Sequence, residues 1–130
     1  MVIDTSAIVA VLGREPEADA FLELLFGRDD LRMSMVSVVE TAVVALGRGN
    51  EGRQRAMELL DELAVERMPL SSEQVERAIS AYGRWGKGYH PARLNFGDCF
   101  SYALAQSLGE PLLYKGNDFA RTDILPAIRP

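Results

Sequence analysis

Met1-Val2-Ile3-Asp4-Thr5-Ser6-Ala7-Ile8-Val9-Ala10-Val11-Leu12-Gly13 opens the chain and decides how the rest is read. A short apolar run, Met1 to Ile3, stops at three residues that cap helices well. A second apolar run then ends at glycine. The pattern predicts a buried strand, an N-cap at Asp4-Thr5-Ser6 and a helix from Ala7 to Leu12.

Outward from this stretch the same alternation continues. Glu15-Pro16-Glu17 starts a helix with Ala20, Phe21, Leu24 and Leu25 as its apolar stripe, ended by Gly27. Leu31 to Val36 reads as a strand, and Ser37 to Leu46 as a helix closed by Gly47 and Gly49. Asn50 to Leu63 is a further helix. Val65 to Leu70 is a strand that Pro69 confines to an edge or an end. Ser71 opens a helix carrying Val75, Ile79 and Tyr82. Gly83, Gly86, Gly88 and Pro91 mark a loop, and Asp98 to Leu108 is a helix capped by Gly109. Pro111 to Tyr114 is a last strand, with a turn or short helix at Asn117-Asp118. Strands alternating with helices through short connections imply an α/β class with a parallel sheet.

The chain has 130 residues, the size of one domain, and no linker divides it, so residues 1–130 are expected to form one unit. Hydrophobic residues make up 48% and charged residues 25%, which excludes a disordered tail, a collagen-like fibre and a coiled coil. The net charge of −5 argues against binding nucleic acid by a generally basic surface. It leaves room for a nucleic-acid enzyme whose acids hold metal ions. Cys99 has no second cysteine to pair with, and His90 is the only histidine. A disulfide scaffold and a zinc site of His/Cys type are therefore excluded. With no signal peptide and no apolar run long enough to span a bilayer, the expectation is a soluble, cytoplasmic protein without a membrane role.

Four acids stand at particular places. Asp4 closes the first strand, Asp118 follows the last one, and Asp98 begins a helix. In open α/β sheets, ligands bind beyond the carboxyl ends of the strands. Glu40 lies within the otherwise apolar run Val36 to Leu46. Each acid also has a plainer reading. Asp4 and Asp98 suit helix caps, and Asp118 suits an Asx-turn. Ser37-Val38-Val39-Glu40 matches a capping box. Taken together they point elsewhere. A carboxylate on a buried helix face needs compensation, and no Lys or Arg lies within one turn of Glu40. Several carboxylates without histidine or thiol are a ligand set for Mg²⁺ or Mn²⁺. Such a set suits metal-assisted phosphodiester hydrolysis.

Val2-Ile3-Asp4-Thr5-Ser6-Ala7, Ser37-Val38-Val39-Glu40, Leu94-Asn95-Phe96-Gly97-Asp98-Cys99 and Tyr114-Lys115-Gly116-Asn117-Asp118-Phe119 follow one another in order. In this the chain resembles the PIN-domain ribonucleases and, within them, the VapC toxins of toxin–antitoxin pairs. The resemblance covers essentially the whole chain. It implies a three-layer α/β/α sandwich around a mostly parallel sheet. It also implies an endoribonuclease dependent on Mg²⁺ or Mn²⁺ that acts on RNA as a homodimer and is silenced by a cognate antitoxin. Asp4, Glu40, Asp98 and Asp118 match the family's acidic quartet. Asp123 matches an acid that often accompanies it, and Thr5 a hydroxyl residue that orients the site.

Two other functions compete. Asp-based phosphotransfer or phosphatase domains also place an Asp after the first strand. A receiver would want an acid pair there, and a dehalogenase-like site a second Asp where Ser6 stands. A catalytically silent PIN fold serving as a binding module would show a broken quartet, and this one is intact. Arg84, Trp85, Lys87, Tyr89, His90 and Arg93 form a basic, aromatic segment before Asp98. It suits contact with RNA, although a solvated loop with Trp85 packed on the core is the preferred reading. His90 is disfavoured as a general base, and Cys99 reads as a small core residue.

Overall fold

The structure, a computed structural model, describes residues 1–129. Its strands are β1 (Val2–Ile3), β2 (Arg32–Ser34), β3 (Glu66–Met68) and β4 (Leu112–Leu113). They pair in the order β3-β2-β1-β4, and every pair is parallel. Val2 stands opposite both Arg32 and Leu112, which makes β1 a central strand. The helices are α1 (Thr5–Leu12), α2 (Ala18–Leu25), α3 (Met35–Ala45), α4 (Gly49–Glu62), α5 (Ser72–Trp85) and α6 (Phe96–Leu108).

Side chains alternate across a strand, and that alternation splits the core in two. Ile3, Met33 and Leu113 point to one face, where they pack with Ile8 of α1, Phe21 of α2 and Leu60 of α4. Val2 and Leu112 point to the other, against Ala81 and Trp85 of α5 and Tyr102 of α6. Both faces are covered, as a parallel sheet requires. The result is the three-layer α/β/α arrangement that the family resemblance implied, around the parallel sheet expected from the alternation of elements. β3 lies at the sheet edge, next to Pro69, as expected. Gly109 closes α6 at φ +63°, a left-handed conformation that suits glycine.

Several expected boundaries shift for identifiable reasons. α3 begins at Met35, not Ser37, because Ser34 caps it: the Ser34 hydroxyl accepts from Val36 N at 3.3 Å. β2 is therefore shorter than Leu31 to Val36. Ser37 is inside the helix, so the expected capping box with Glu40 does not form. A capping box forms instead at Asn95 and Asp98, and α6 starts two residues before Asp98. Gly83 does not open the loop, since α5 runs through it to Trp85. No helix among the described residues is long and apolar enough to cross a membrane.

Candidate metal centre

Because all four strands run the same way, their carboxyl ends share one edge. Asp4 emerges there directly from β1, its amide donating to Leu113 O of β4 at 2.9 Å. It caps α1, with Oδ2 accepting from Ser6 N at 3.0 Å and Ser6 Oγ at 2.6 Å. The capping reading of Asp4 is thus correct, yet it accounts for one oxygen only. Oδ1 accepts from Ser101 Oγ of α6 at 2.6 Å, and the residue is buried. Lys115 N in turn donates to Ser6 Oγ at 3.0 Å, tying the loop after β4 to the same acid.

Asp98 and Glu40 approach from the two helices beside this edge. Asp98 is half-buried; its Oδ2 accepts from Asn95 N at 3.0 Å, and Asp98 N donates to Asn95 Oδ1 at 2.8 Å. The helix-cap reading therefore holds for this residue too. Its Oδ1 carries no hydrogen bond among the described residues. Glu40, half-buried on α3, lies on the first turn of α6. A Cβ at Gly97 would come within 2.8 Å of Glu40 Cδ and closer still to Oε2, so only glycine permits this approach. Asp118, exposed before the 3₁₀ turn Phe119–Arg121, makes no side-chain cap there.

These acids bear on one another electrically. Burial pushes the Asp98 carboxyl up to about 7, with the charges of Asp4, Asp118 and Glu40 adding to the rise. Burial also raises Glu40, which the Thr5 hydroxyl partly relieves and the Asp4 charge reinforces. None of the four pairs with a Lys or Arg among the described residues; Lys115, three residues before Asp118, pairs with Glu15 and Glu17. Among the described residues, no three His, Cys, Asp or Glu side chains stand placed to hold a metal ion as they are. The oxygen-only donor set, with Asp98 Oδ1 uncommitted and Asp118 exposed, nonetheless fits a hard divalent cation.

A family model described as the PIN domain matches residues 1–125. The chain belongs to the PIN domain family. Ribonuclease VapC30 of Mycobacterium tuberculosis is 47% identical over 132 aligned residues, spanning 100% of both chains. Among solved structures, Mycobacterium tuberculosis VapC20, a sarcin-ricin loop cleaving toxin, superposes with a TM-score of 0.78. It is 19% identical and covers 99% of this chain and 98% of its own. A toxin–antitoxin complex from Klebsiella pneumoniae gives 0.72 at 20% identity, over 94% of this chain and 92% of that one.

In this PIN domain Asp123, expected to accompany the quartet, makes its contacts elsewhere. Tyr102 Oη donates to Asp123 Oδ1 at 2.5 Å, and Arg84 pairs with its other oxygen at 3.4 Å. Tyr102 also accepts from Trp85 Nε1 at 3.1 Å. Asp123 thus fastens the segment after the 3₁₀ turn to α5 and α6. Thr5 donates to Ser37 O at 3.1 Å and is joined by Thr41, which reaches the same carbonyl at 2.8 Å. Ser37 Oγ lies 3.0 Å from Ser101 Oγ, so the two hydroxyls join α3 to α6 beneath Asp4.

The sequence reading missed Ser101, Ser37 and Thr41 as supports of the site. A signal was present. Ser101 follows Asp98 by three positions, and Thr41 follows Ser37 by four, which are same-face spacings on a helix. Cys99 is buried, donates to Asn95 O at 3.3 Å and has its thiol pushed up to about 11 by burial. His90 accepts from Ala92 N through Nδ1 at 3.0 Å, and its ring stands edge-on to Trp85. The expected structural roles of Cys99 and Trp85 agree with these contacts.

Proposed function

We propose that this PIN domain is a metal-dependent endoribonuclease, a toxin restrained by a cognate antitoxin, with Mg²⁺ or Mn²⁺ as its cofactor. The observation that carries the reading is the mutual charge of Asp4, Glu40, Asp98 and Asp118 at the carboxyl edge, with no cationic partner among the described residues. The relatives support the substrate: VapC30 is a ribonuclease, and VapC20 cleaves the sarcin-ricin loop. The antitoxin partner rests on the toxin–antitoxin complex of the same fold.

Asp4, Asp98 and Asp118 would hold the cation, with Glu40 as a direct or water-mediated ligand. A cation held there would supply a lowered pKa for a bound water and a counter-charge for the scissile phosphate. Ser6 and Ser101 hold the Asp4 carboxylate at a fixed angle, and Gly97 leaves room for Glu40. Thr5 orients the same corner. In this reading water is the attacking group and no side chain need be the nucleophile, in keeping with a buried Cys99 and a His90 whose Nδ1 accepts from Ala92 N. The water oxygen bonds to phosphorus, the phosphorus–O3′ bond breaks, and the 3′ oxygen leaves with a proton. The products then carry a 5′-phosphate and a 3′-hydroxyl.

End-labelled RNA incubated with Mg²⁺, Mn²⁺, Ca²⁺ or EDTA tests this. Cleavage is expected with the first two, poorly with Ca²⁺, which prefers looser and higher coordination, and not in EDTA. A 2′,3′-cyclic phosphate end, or full cleavage in EDTA, would refute the mechanism.

The chain is further proposed to work as a homodimer. Met35, Val39 and Val43 leave an exposed apolar row on α3, and Ile79 on α5 is exposed as well. Exposed rows of this kind mark contact surfaces. Light scattering at micromolar concentration should give twice the chain mass of 14.3 kDa. A monomer mass would remove the dimer and leave the catalytic reading in place.

A further inference from the structure

Fourteen Lys and Arg face nineteen Asp and Glu in the whole chain, yet residues 83–97 carry Arg84, Lys87 and Arg93 and no acid at all. This stretch leads directly into the capping box that holds Asp98. A protein of net charge −5 therefore carries an acid-free run of cations immediately before Asp98.

The structure divides the segment by role. Trp85 and His90 face inward and brace it. The loop between α5 and α6 is held rigid by its backbone. Lys87 N donates to Leu94 O at 2.9 Å, Leu94 N to Trp85 O at 3.0 Å, and Tyr89 N to Gly86 O at 2.9 Å. Arg121, from the turn just after Asp118, donates to Pro91 O at 3.2 Å. The loop is thus fastened to both segments that carry Asp98 and Asp118.

On this rigid loop three side chains face outward without a salt-bridge or side-chain hydrogen-bond partner among the described residues: Lys87, Tyr89 and Arg93. Tyr89 is 70% exposed, and its ring touches only the edge of Tyr82, at 5.9 Å between centroids. A large aromatic ring left in water on an ordered loop is a stacking surface. The cations beside it match a phosphate backbone. A duplex of A-form RNA hides its base faces, so a stacking ring selects unpaired nucleotides.

We propose that the loop from Gly86 to Asn95 is the docking surface for single-stranded RNA. Tyr89 stacks on an unpaired base, and Lys87 and Arg93 hold the flanking phosphates. The proposal rests on the ribonuclease reading above and extends it by saying where the substrate lies.

The test is fluorescence anisotropy with a labelled, unstructured twelve-nucleotide RNA, in EDTA so that no cleavage intervenes, across a salt series. Tyr89→Ala should weaken binding by about five- to fifty-fold, and Tyr89→Phe should restore it. Lys87→Gln with Arg93→Asn should flatten the salt dependence by about 1.4 in log–log slope, near 0.7 for each lost contact to a single strand. Asn is chosen because Arg93 sits at φ +56°, which Asn tolerates. Thermal melting should show all three proteins folded, since these side chains are exposed. Unchanged affinity and slope in folded variants would overturn the proposal and leave the loop to a protein partner. Equal weakening by Tyr89→Ala and Tyr89→Phe would overturn the stacking role. Cleavage by wild type in Mg²⁺, lost in Asp98→Asn, separately decides the ribonuclease reading.

Discussion

Asp4→Asn should lower RNA cleavage by a hundred-fold or more while leaving the fold intact. Three donors surround this carboxylate: Ser6 N, Ser6 Oγ and Ser101 Oγ. Asn keeps the shape and, through its carbonyl, the cap on Ser6 N. Its amide can face Ser101, whose hydroxyl has Ser37 Oγ at 3.0 Å as an alternative acceptor. The hydrogen-bond network therefore adjusts, and what is lost is charge. A group that acts by holding charge at a reacting centre contributes roughly this much. Asp98→Asn should act similarly, since the charges of Asp4, Asp118 and Glu40 all bear on that carboxyl. The measurement is the initial rate on end-labelled RNA, with thermal melting as the control for folding. Wild-type cleavage by a folded Asp4→Asn protein would mean that the quartet is not the reacting site.

The second large effect is on stability. Asp98 ionises near 3.8 in an unfolded chain and near 7 in the folded one. Between those values the folded state holds a proton that the unfolded state has released. Stability in metal-free buffer should therefore fall as pH rises from about 4 to about 7, and level off above. Glu40, also raised, adds to the same slope. The full difference would be about 4 kcal/mol; partial exposure of Asp98 reduces this to roughly 1–2 kcal/mol. Asp98→Asn removes the penalty and keeps an oxygen for Asn95 N. At pH 8 without metal it should melt roughly 3–8 °C higher than wild type, with a flatter pH profile. Added Mn²⁺ should then raise the wild-type melting temperature more than the variant's. A variant less stable than wild type at pH 8 would mean that the capping box outweighs the cost of a buried charge beside other acids.

How far the sequence could be read depended on how local each determinant was. Val2-Ile3 and Leu112-Leu113 are apolar on both faces, so burial of both faces, and hence a covered parallel sheet, was legible. The boundaries of α3 and α6 were less so. Ser34 and Ser37 are both competent caps, as are Asn95 and Asp98, and the choice between them depends on which backbone amides are left to satisfy. Glu40 shows the same ambiguity from the side of the site. Its spacing from Ser37 fits a capping box as well as a ligand set, and the earlier start of α3 removes the first option.

By itself the sequence determined the alternation of strand and helix, the parallel sheet that follows from it, three acids at strand ends and helix starts, and a fourth, Glu40, within an apolar helix. These follow from side-chain periodicity and from capping chemistry, which act over a few residues. Tertiary structure alone decided what each acid touches. Asp123 is five residues from Asp118, yet Tyr102 and Arg84 draw it to α5 and α6. Ser101 is 97 residues from Asp4 and donates to it at 2.6 Å. A charge or hydroxyl acts through space and through the burial around it, and neither is set until distant segments pack together.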